Sequence, residues 1–142
     1  SREDDPPRLS CGFEDLPYIR LRRSYKSYVV TGRHWTSTRI APEEYEEESS
    51  WLLLRDPQPG THLLYECMVE DNLIGHHNFL TAEVGCEGHQ NLGPVGYIHE
   101  DQVQGTVPLY RCISNTGTDH FVSADPACEG QVSEQLLGYV LP

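Results

Sequence analysis

The sequence predicts an all-β chain built from three related units. The tripeptide Cys-Glu-Gly occurs twice, at residues 86–88 and 128–130, and its surroundings align at the same offset of 42 residues. Between turn residues the chain forms short segments in which apolar and polar residues come close to alternating, as they do in strands. No long amphipathic helical pattern is visible. Together these observations favour repeated sets of short strands.

The second and third units align best. At the offset of 42, "GHHNFLTAEVGCEG" matches "GTDHFVSADPACEG", and "GPVGYI" matches "QLLGYV". Upstream, "THLLYEC" matches "TVPLYRC" at an offset of 45. The later copy is therefore three residues shorter between these segments, which indicates a trimmed hairpin loop.

A weaker first unit precedes these two. "GRHWTS" (32–37) resembles "GTDHFVS" with one residue fewer, "RLRRS" (20–24) takes the place of "PLYRC", and "WLLLR" lies near the "GYV" position. We therefore expect an N-terminal tail over 1–15 and one domain over 16–142. Its units cover about 16–57, 58–103 and 104–142.

The weak copy predicts how four of the five cysteines pair. In it, Ser24 stands at the position of Cys67 and Pro42 at the position of Cys86, so both cysteine positions are lost together. Joint loss is expected when two cysteines bond within one unit, and this excludes two of the three pairings that four cysteines allow. The predicted bridges are Cys67–Cys86 and Cys112–Cys128.

Cys11 has no counterpart in any unit. The alternatives are a free thiol and a bond to another chain, which would give a disulfide-linked dimer through Cys11. An odd cysteine beside two bridges, in a sequence without Cys-x-x-C, suggests a secreted or extracellular protein.

The strand pattern in each unit leads to a fold class. "VPLYRCIS", "DHFVSA" and "LLGYVL" are read as strands, with a weakly marked fourth strand at "QVSEQ". One helical turn is expected in "APEEYEEESSWLLL". Three such units look like a β-trefoil, in which six strands close a barrel and three hairpins cap it. A three-bladed propeller would be too small, and a sandwich would not explain the threefold repeat.

The motif string "PLYRC…GTDHFVS…CEG…LLGYV" resembles a repeat of secreted, often carbohydrate-associated proteins, with an LYR strand, a DHF strand and a terminal GY strand. The resemblance covers about residues 16–142, and the overall shape also resembles β-trefoil lectins. It implies a multivalent glycan-binding module. Neither Trp35 nor Trp51 has a Gln two residues before it, so the Gln-x-Trp motif of ricin-type lectins is missing. No sugar specificity therefore carries over from that group.

Candidate ligand-binding residues follow from the repeated motifs. A sugar needs carboxylate or amide acceptors for its hydroxyls and an aromatic face for its C–H surface. The alternative is that these polar groups only hold turns and that the neighbouring aromatics are core residues. The candidates in the third unit are Asp119, His120 and Glu129, and those in the second are His77, Asn78 and Glu87.

A basic run in the first unit suggests a site for an anionic ligand. Between Pro17 and Ala41 there are six basic residues and no acidic one. The sequence leaves open a patch for sulfated or sialylated glycans, neutralisation by the glutamates at 43–48, and contact with the acidic units of another copy. The six residues are Arg20, Arg22, Arg23, Lys26, Arg33 and Arg39.

Several functional classes are disfavoured. A net charge of −12 argues against nucleic acid, and no segment is apolar enough to span a membrane. No HExxH, nucleophile elbow or phosphate-binding glycine loop is present, so we expect no metal, no cofactor and no enzymatic activity. The leading expectation is a glycan partner. The alternatives are a structural subunit of an extracellular assembly, joined to its protein partner through Cys11 and charge, and a protease inhibitor that uses residues 69–75.

Overall fold

The computed structural model describes residues 17–29, 31–70 and 76–142. Within this part of the chain, nine strands form one antiparallel sheet, and two short 3-10 turns cover Cys86–Gly88 and Cys128–Gly130. The strands are β1 (Tyr18–Ser27), β2 (Gly32–Ser37), β3 (Glu46–Leu54), β4 (Thr61–Val69), β5 (His77–Thr81), β6 (Gln90–His99), β7 (Val107–Ile113), β8 (His120–Ser123) and β9 (Val132–Val140).

The predicted all-β class is confirmed, and two local predictions are wrong. The segment "APEEYEEESSWLLL" contains no helical turn, because β3 begins at Glu46 after a turn in which the Tyr45 amide donates to the Pro42 carbonyl (3.3 Å). The segment "QVSEQ" is not a separate strand, since its last four residues open β9. In both places the backbone is paired along β1 or β7. That cross-strand pairing has no local signal in the sequence.

The same pairing pattern occurs three times along the chain. A central long strand pairs with a short strand on one side and a second long strand on the other: β1 with β2 and β3, β4 with β5 and β6, β7 with β8 and β9. The register places Ser24 opposite Trp35, as Cys67 is opposite Phe79 and Cys112 opposite Phe121. Residues at matching register positions can therefore be compared between units.

The second long strand of each unit, β3, β6 or β9, contacts the other units. Leu54 of β3 pairs with Tyr97 of β6, His99 of β6 pairs with Tyr139 of β9, and a bridge between Leu52 and Leu141 brings the last unit back to the first. The sheet is thus nearly closed and barrel-like, which protects most strand edges.

One apolar core fills this sheet. The first long strand of each unit contributes a fully buried leucine at the same register position, namely Leu21, Leu64 and Leu109. The remaining buried members come from the other strands: Trp51, Leu53, Leu80, Val95, Ile98, Val122, Leu137 and Val140. Burial of these side chains supplies the main stabilising term.

The bridges Cys67–Cys86 and Cys112–Cys128 are those that the sequence predicts, with Cα–Cα distances of 5.6 and 5.7 Å. Each fastens a Cys-Glu-Gly turn to the central strand of its unit and packs against Phe79 or Phe121. These intrachain disulfides are compatible with an extracellular location.

Gly138 lies at a close approach of two units. Its φ is +154°, and a Cβ added there would lie 2.5 Å from the carbonyl oxygen of His99 in β6. Leu109 pairs with Gly138, whereas the matching leucine of the first unit, Leu21, pairs with Trp51. The β6–β9 contact therefore requires a residue without a side chain.

We predict that Gly138→Ala lowers the free energy of unfolding by about 2 kcal/mol, because overpacking a rigid backbone contact costs roughly 1–3 kcal/mol. Urea titration of the purified variant measures this. Gly85→Ala is the matched control, since Gly85 has a φ of −77° and open space around it. Equal midpoints for the two variants would contradict the packing argument.

Candidate functional site

The sequence-predicted glutamates of the Cys-Glu-Gly turns bind arginines of neighbouring units. Arg23 of β1 donates to Glu129 from both terminal nitrogens, at 2.6 and 3.3 Å. Arg111 of β7 does the same to Glu87, at 2.8 and 3.3 Å. Arg23 also donates to the Val122 carbonyl, and Arg111 to the Leu80 carbonyl, both at 3.0 Å. Each carboxylate is therefore held in a fixed orientation.

At the interface between the first and second units the positions of the positive and negative charges are exchanged. Glu66 occupies the β4 position that corresponds to Arg23 and Arg111, and it accepts hydrogen bonds from Arg39 and from the Ser37 hydroxyl, both at 2.7 Å. The first unit has no Cys-Glu-Gly turn to supply a glutamate here. An arginine takes that role instead, so all three interfaces contain an ion pair.

A second carboxylate completes two of these clusters. Glu48 accepts from Arg23 Nε (3.0 Å) and lies 3.1 Å from His34 Nε2. Glu134 accepts from Arg111 Nε (2.8 Å) and lies 3.1 Å from His120 Nε2. Both glutamates lie at a β-bulge and have no partner of their own in the strand register. Glu48 lies between Glu47 and Ser49, which pair with Ser24 and Arg23, and Glu134 has the same position in β9.

The histidines and Asp119 meet where β2, β5 and β8 come together. Asp119 contacts His34, through Oδ2 to ring Nδ1 at 2.5 Å and through Oδ1 to the backbone amide at 2.8 Å. His120 Nδ1 lies 2.9 Å from His77 Nε2. The structure thus places Asp119, the residue before β8, and His120, the first residue of β8, in two different clusters.

The candidate residues are accordingly grouped between units rather than within them. One group combines Asp119 and Glu129 with His34, and the other combines His120 with His77 and Glu87. Asn78 belongs to neither. It is fully buried and ties β5 to β2 through the Thr36 amide and carbonyl, both at 2.8 Å. We conclude that Asn78 is structural.

The group with Asp119 borders an open cleft of about 270 Å³ between the first and third units. Ring contacts line one side: Tyr25 and His34 have centroids 4.8 Å apart, and His34 and Phe121 are 5.0 Å apart. The cleft combines ring faces, a fixed carboxylate and hydroxyl groups. Its lining includes Tyr25, His34, Ser114, Thr118, Glu129 and Gln131.

Ionisation follows from these contacts. The hydrogen bond from Arg23 lowers the pKa of Glu129, and the one from Arg111 lowers the pKa of Glu87. Burial lowers the pKa of His120. At neutral pH both glutamates are therefore carboxylates, and Glu129 presents a negatively charged acceptor to the cleft.

The predicted basic patch is largely neutralised. Arg20 pairs with Glu47, Lys26 with Glu44 at 3.1 Å, and Arg23 and Arg39 serve the interfaces described above. Arg33 is fully buried. Arg22 differs: within the described ranges, no carboxylate forms an ion pair with it, and its Nη2 donates to the Thr38 and Arg39 carbonyls at 3.3 and 3.0 Å.

The remaining sequence predictions concern ions, membranes and undescribed segments. Among residues 17–29, 31–70 and 76–142, no group of three or more His, Cys, Asp or Glu could hold a metal ion, and no helix is sufficiently long and apolar to cross a membrane. Cys11, the tail over 1–15 and most of the 69–75 loop lie outside the described residues.

Sequence reasoning missed the roles of Arg23, Arg111 and Glu134. The arginines did carry a signal, because Arg23 directly precedes Ser24 and Arg111 directly precedes Cys112, which is the aligned position. Glu134 and Glu48 carried no such signal, since their positions depend on β-bulges.

No protein-family model, no curated protein and no solved structure matches this chain.

We predict that stability falls as the pH drops below about 4.5, the ordinary range of a glutamate pKa. Both Glu87 and Glu129 have lowered pKa values, so the unfolded chain takes up protons before the folded one does, and the stabilisation is present above that range and lost on acidification. Urea titrations between pH 7 and pH 3 measure the loss.

The double variant Glu87→Gln with Glu129→Gln should show a flatter pH profile than the wild-type chain. Glu43→Gln with Glu83→Gln, which changes two exposed turn glutamates, should retain the wild-type slope. If the first double variant loses stability as steeply as wild type, the two ion pairs do not cause the acid sensitivity.

Proposed function

We propose that the chain is a secreted, non-enzymatic carbohydrate-binding module and that its first site is the cleft between the first and third units. The observation that carries this proposal is the carboxylate of Glu129, which Arg23 fixes from two nitrogens beside the rings of Tyr25 and His34. A fixed acceptor loses little conformational entropy when it binds a sugar hydroxyl, and ring faces suit the C–H surface of a hexose.

The volume of the cleft fits this proposal. About 270 Å³ is just below the range of roughly 300–1,000 Å³ typical of drug-sized ligands, so one sugar residue rather than a long segment would occupy it. Ser114 and Thr118 lie on its wall and add hydroxyl groups.

The ionisation of the glutamates supports binding rather than catalysis. A glycosidase needs one carboxylic acid whose pKa is raised so that it can protonate the leaving group. The pKa values of Glu129 and Glu87 are instead lowered by their arginines. Both groups are suited to accept hydrogen bonds and poorly suited to donate a proton.

The cluster around Glu87, His77 and His120 would form a second site of similar chemistry. Its arginine, bulge glutamate and histidine repeat those of the first cluster at matching register positions. Two weak sites on one chain gain affinity for a branched or surface-bound glycan through effective concentration. The interface at Glu66 lacks this chemistry, because its carboxylate is 2% exposed.

We also propose the β-trefoil class for the fold. Six long strands and three short ones, β2, β5 and β8, with one hairpin per unit at the same end, support it. An experimental structure showing no approximate threefold axis through these hairpins would reject this class.

The test of function is glycan binding by matched variants. We expect the purified chain to bind defined neutral glycans on an array at physiological salt, and Glu129→Gln to weaken that binding by at least about tenfold, the loss of roughly one charge-assisted hydrogen bond. Tyr25→Phe should weaken it less while leaving the Arg23–Glu129 pair intact.

Glu43→Gln is the control, since it makes the same chemical change at an exposed turn. Because Glu129→Gln also removes the ion pair with Arg23, its thermal midpoint is measured as well, and weaker binding by Tyr25→Phe with an unchanged midpoint separates loss of binding from misfolding. A blank array, or equal binding by the Glu129→Gln and Glu43→Gln variants, would reject the cleft as a glycan site.

A further inference from the structure

The first unit has a cavity at the position where the other two units have a disulfide. Ser24 and Trp35 are the register counterparts of Cys112 and Phe121, and Ser37 is the counterpart of Ser123. Without a bridge and a Cys-Glu-Gly turn to fill this position, a cavity of about 190 Å³ remains beside them. The space is therefore a consequence of the missing bridge.

The cavity is lined by an unusual set of groups for its size. Trp35 and Tyr45 form its aromatic part, with ring centroids 6.1 Å apart in an edge-to-face arrangement. Burial and a hydrogen bond with Tyr28 raise the pKa of Tyr45, so its phenol stays uncharged at neutral pH. The other lining side chains are Arg22, Ser24, Ser37, Arg39, Ile40, Ala41 and Glu47.

Arg22 gives the cavity its charge. The negative charge of Glu47 is met by Arg20, and the positive charge of Arg39 is met by Glu66. The Arg22 guanidinium is held in place by two backbone carbonyls, and its Nε and Nη1 donate to no atom of the described residues. It is half-buried, so its charge is only partly screened.

We propose that this cavity binds a hexose that carries a carboxylate, such as a hexuronic acid, with the carboxylate on Arg22 and the ring against Trp35. Arg22 Nε or Nη1 can donate a charge-assisted hydrogen bond to one oxygen of a carboxylate, and an aromatic face matches the C–H side of a sugar ring. The volume admits one residue. This site is separate from the Glu129 cleft and adds selectivity for acidic sugars.

The test compares methyl β-glucuronide with methyl β-glucoside, which differ only in the oxidation of C6. Both are titrated into the ¹⁵N-labelled chain while the indole N–H signal of Trp35 is followed by NMR. That signal is assigned with Trp35→Phe. We expect saturable shifts with the glucuronide and at least tenfold weaker binding of the glucoside.

Two variants separate a local contact from net charge. Arg22→Gln should remove the preference for the glucuronide, whereas Lys26→Gln, which removes an equal charge outside the cavity, should retain it. Arg22→Lys should keep a reduced preference, because it keeps the charge but loses the guanidinium that the Thr38 and Arg39 carbonyls hold in place. The Trp35 signal reports on this cavity and not on the Glu129 cleft, because Trp35 lines the first and not the second.

Three results would overturn the proposal. The first is no shift of the Trp35 signal, or equal shifts with both sugars. The second is an equal loss of preference in Lys26→Gln and Arg22→Gln. The third is a saturable shift with hexaglutamate but none with the glucuronide, which would assign the cavity to an acidic peptide.

Discussion

The paired hydrogen bonds from an arginine of one unit to a glutamate of a neighbouring unit connect two of the three interfaces of this structure. Short strands cannot close a sheet unless the units are held at a fixed relative orientation, and the β3, β6 and β9 contacts supply only one paired position at each junction. Arg23 and Arg111 are 9% and 8% exposed, so leaving either without its carboxylate would be costly. The same bonds fix the carboxylates that border the candidate sites.

The loss of the Cys-Glu-Gly turn in the first unit has two physical consequences. The first unit has no turn glutamate to pair with β4. At this interface β4 carries Glu66 in place of an arginine, and Arg39 of the first unit supplies the positive charge. The loss also removes a disulfide, which leaves the cavity beside Trp35 open. One missing segment thus explains both the unlike third interface and the additional cavity.

The sequence predicted those features that recur along the chain. The aligned Cys67, Cys86, Cys112 and Cys128 predicted both bridges, and the alternation of "VPLYRCIS" predicted β7. The sequence named Asp119 and Glu129 as candidates but not Tyr25 or His34, which line the same cleft. His34 and Asp119 are 85 residues apart, and their contact depends on how β2 and β8 pack, which no local pattern encodes.

The interfaces were also hidden by partial exchange of residue types. Glu66 aligns with Arg23 and Arg111, and in the sequence alone this difference looks like simple divergence of the second unit. The structure shows that Arg39 pairs with Glu66, so the ion pair is kept. The basic run of the first unit was ambiguous for a similar reason. Three of its six charges, those of Arg20, Arg23 and Lys26, pair with glutamates of β3 and the preceding turn, which come close in space only after β1 and β3 pair.

The most direct test of this account is a double-mutant cycle on Arg111 and Glu87, using Arg111→Gln, Glu87→Gln and the double variant, with unfolding in urea at pH 7. We predict a coupling free energy of about 1–2 kcal/mol, within the range for partly buried, directly bonded pairs. The Arg23 and Glu129 cycle should give a similar value. Additive effects in both cycles, with coupling below about 0.3 kcal/mol, would contradict the claim that these pairs hold the units together.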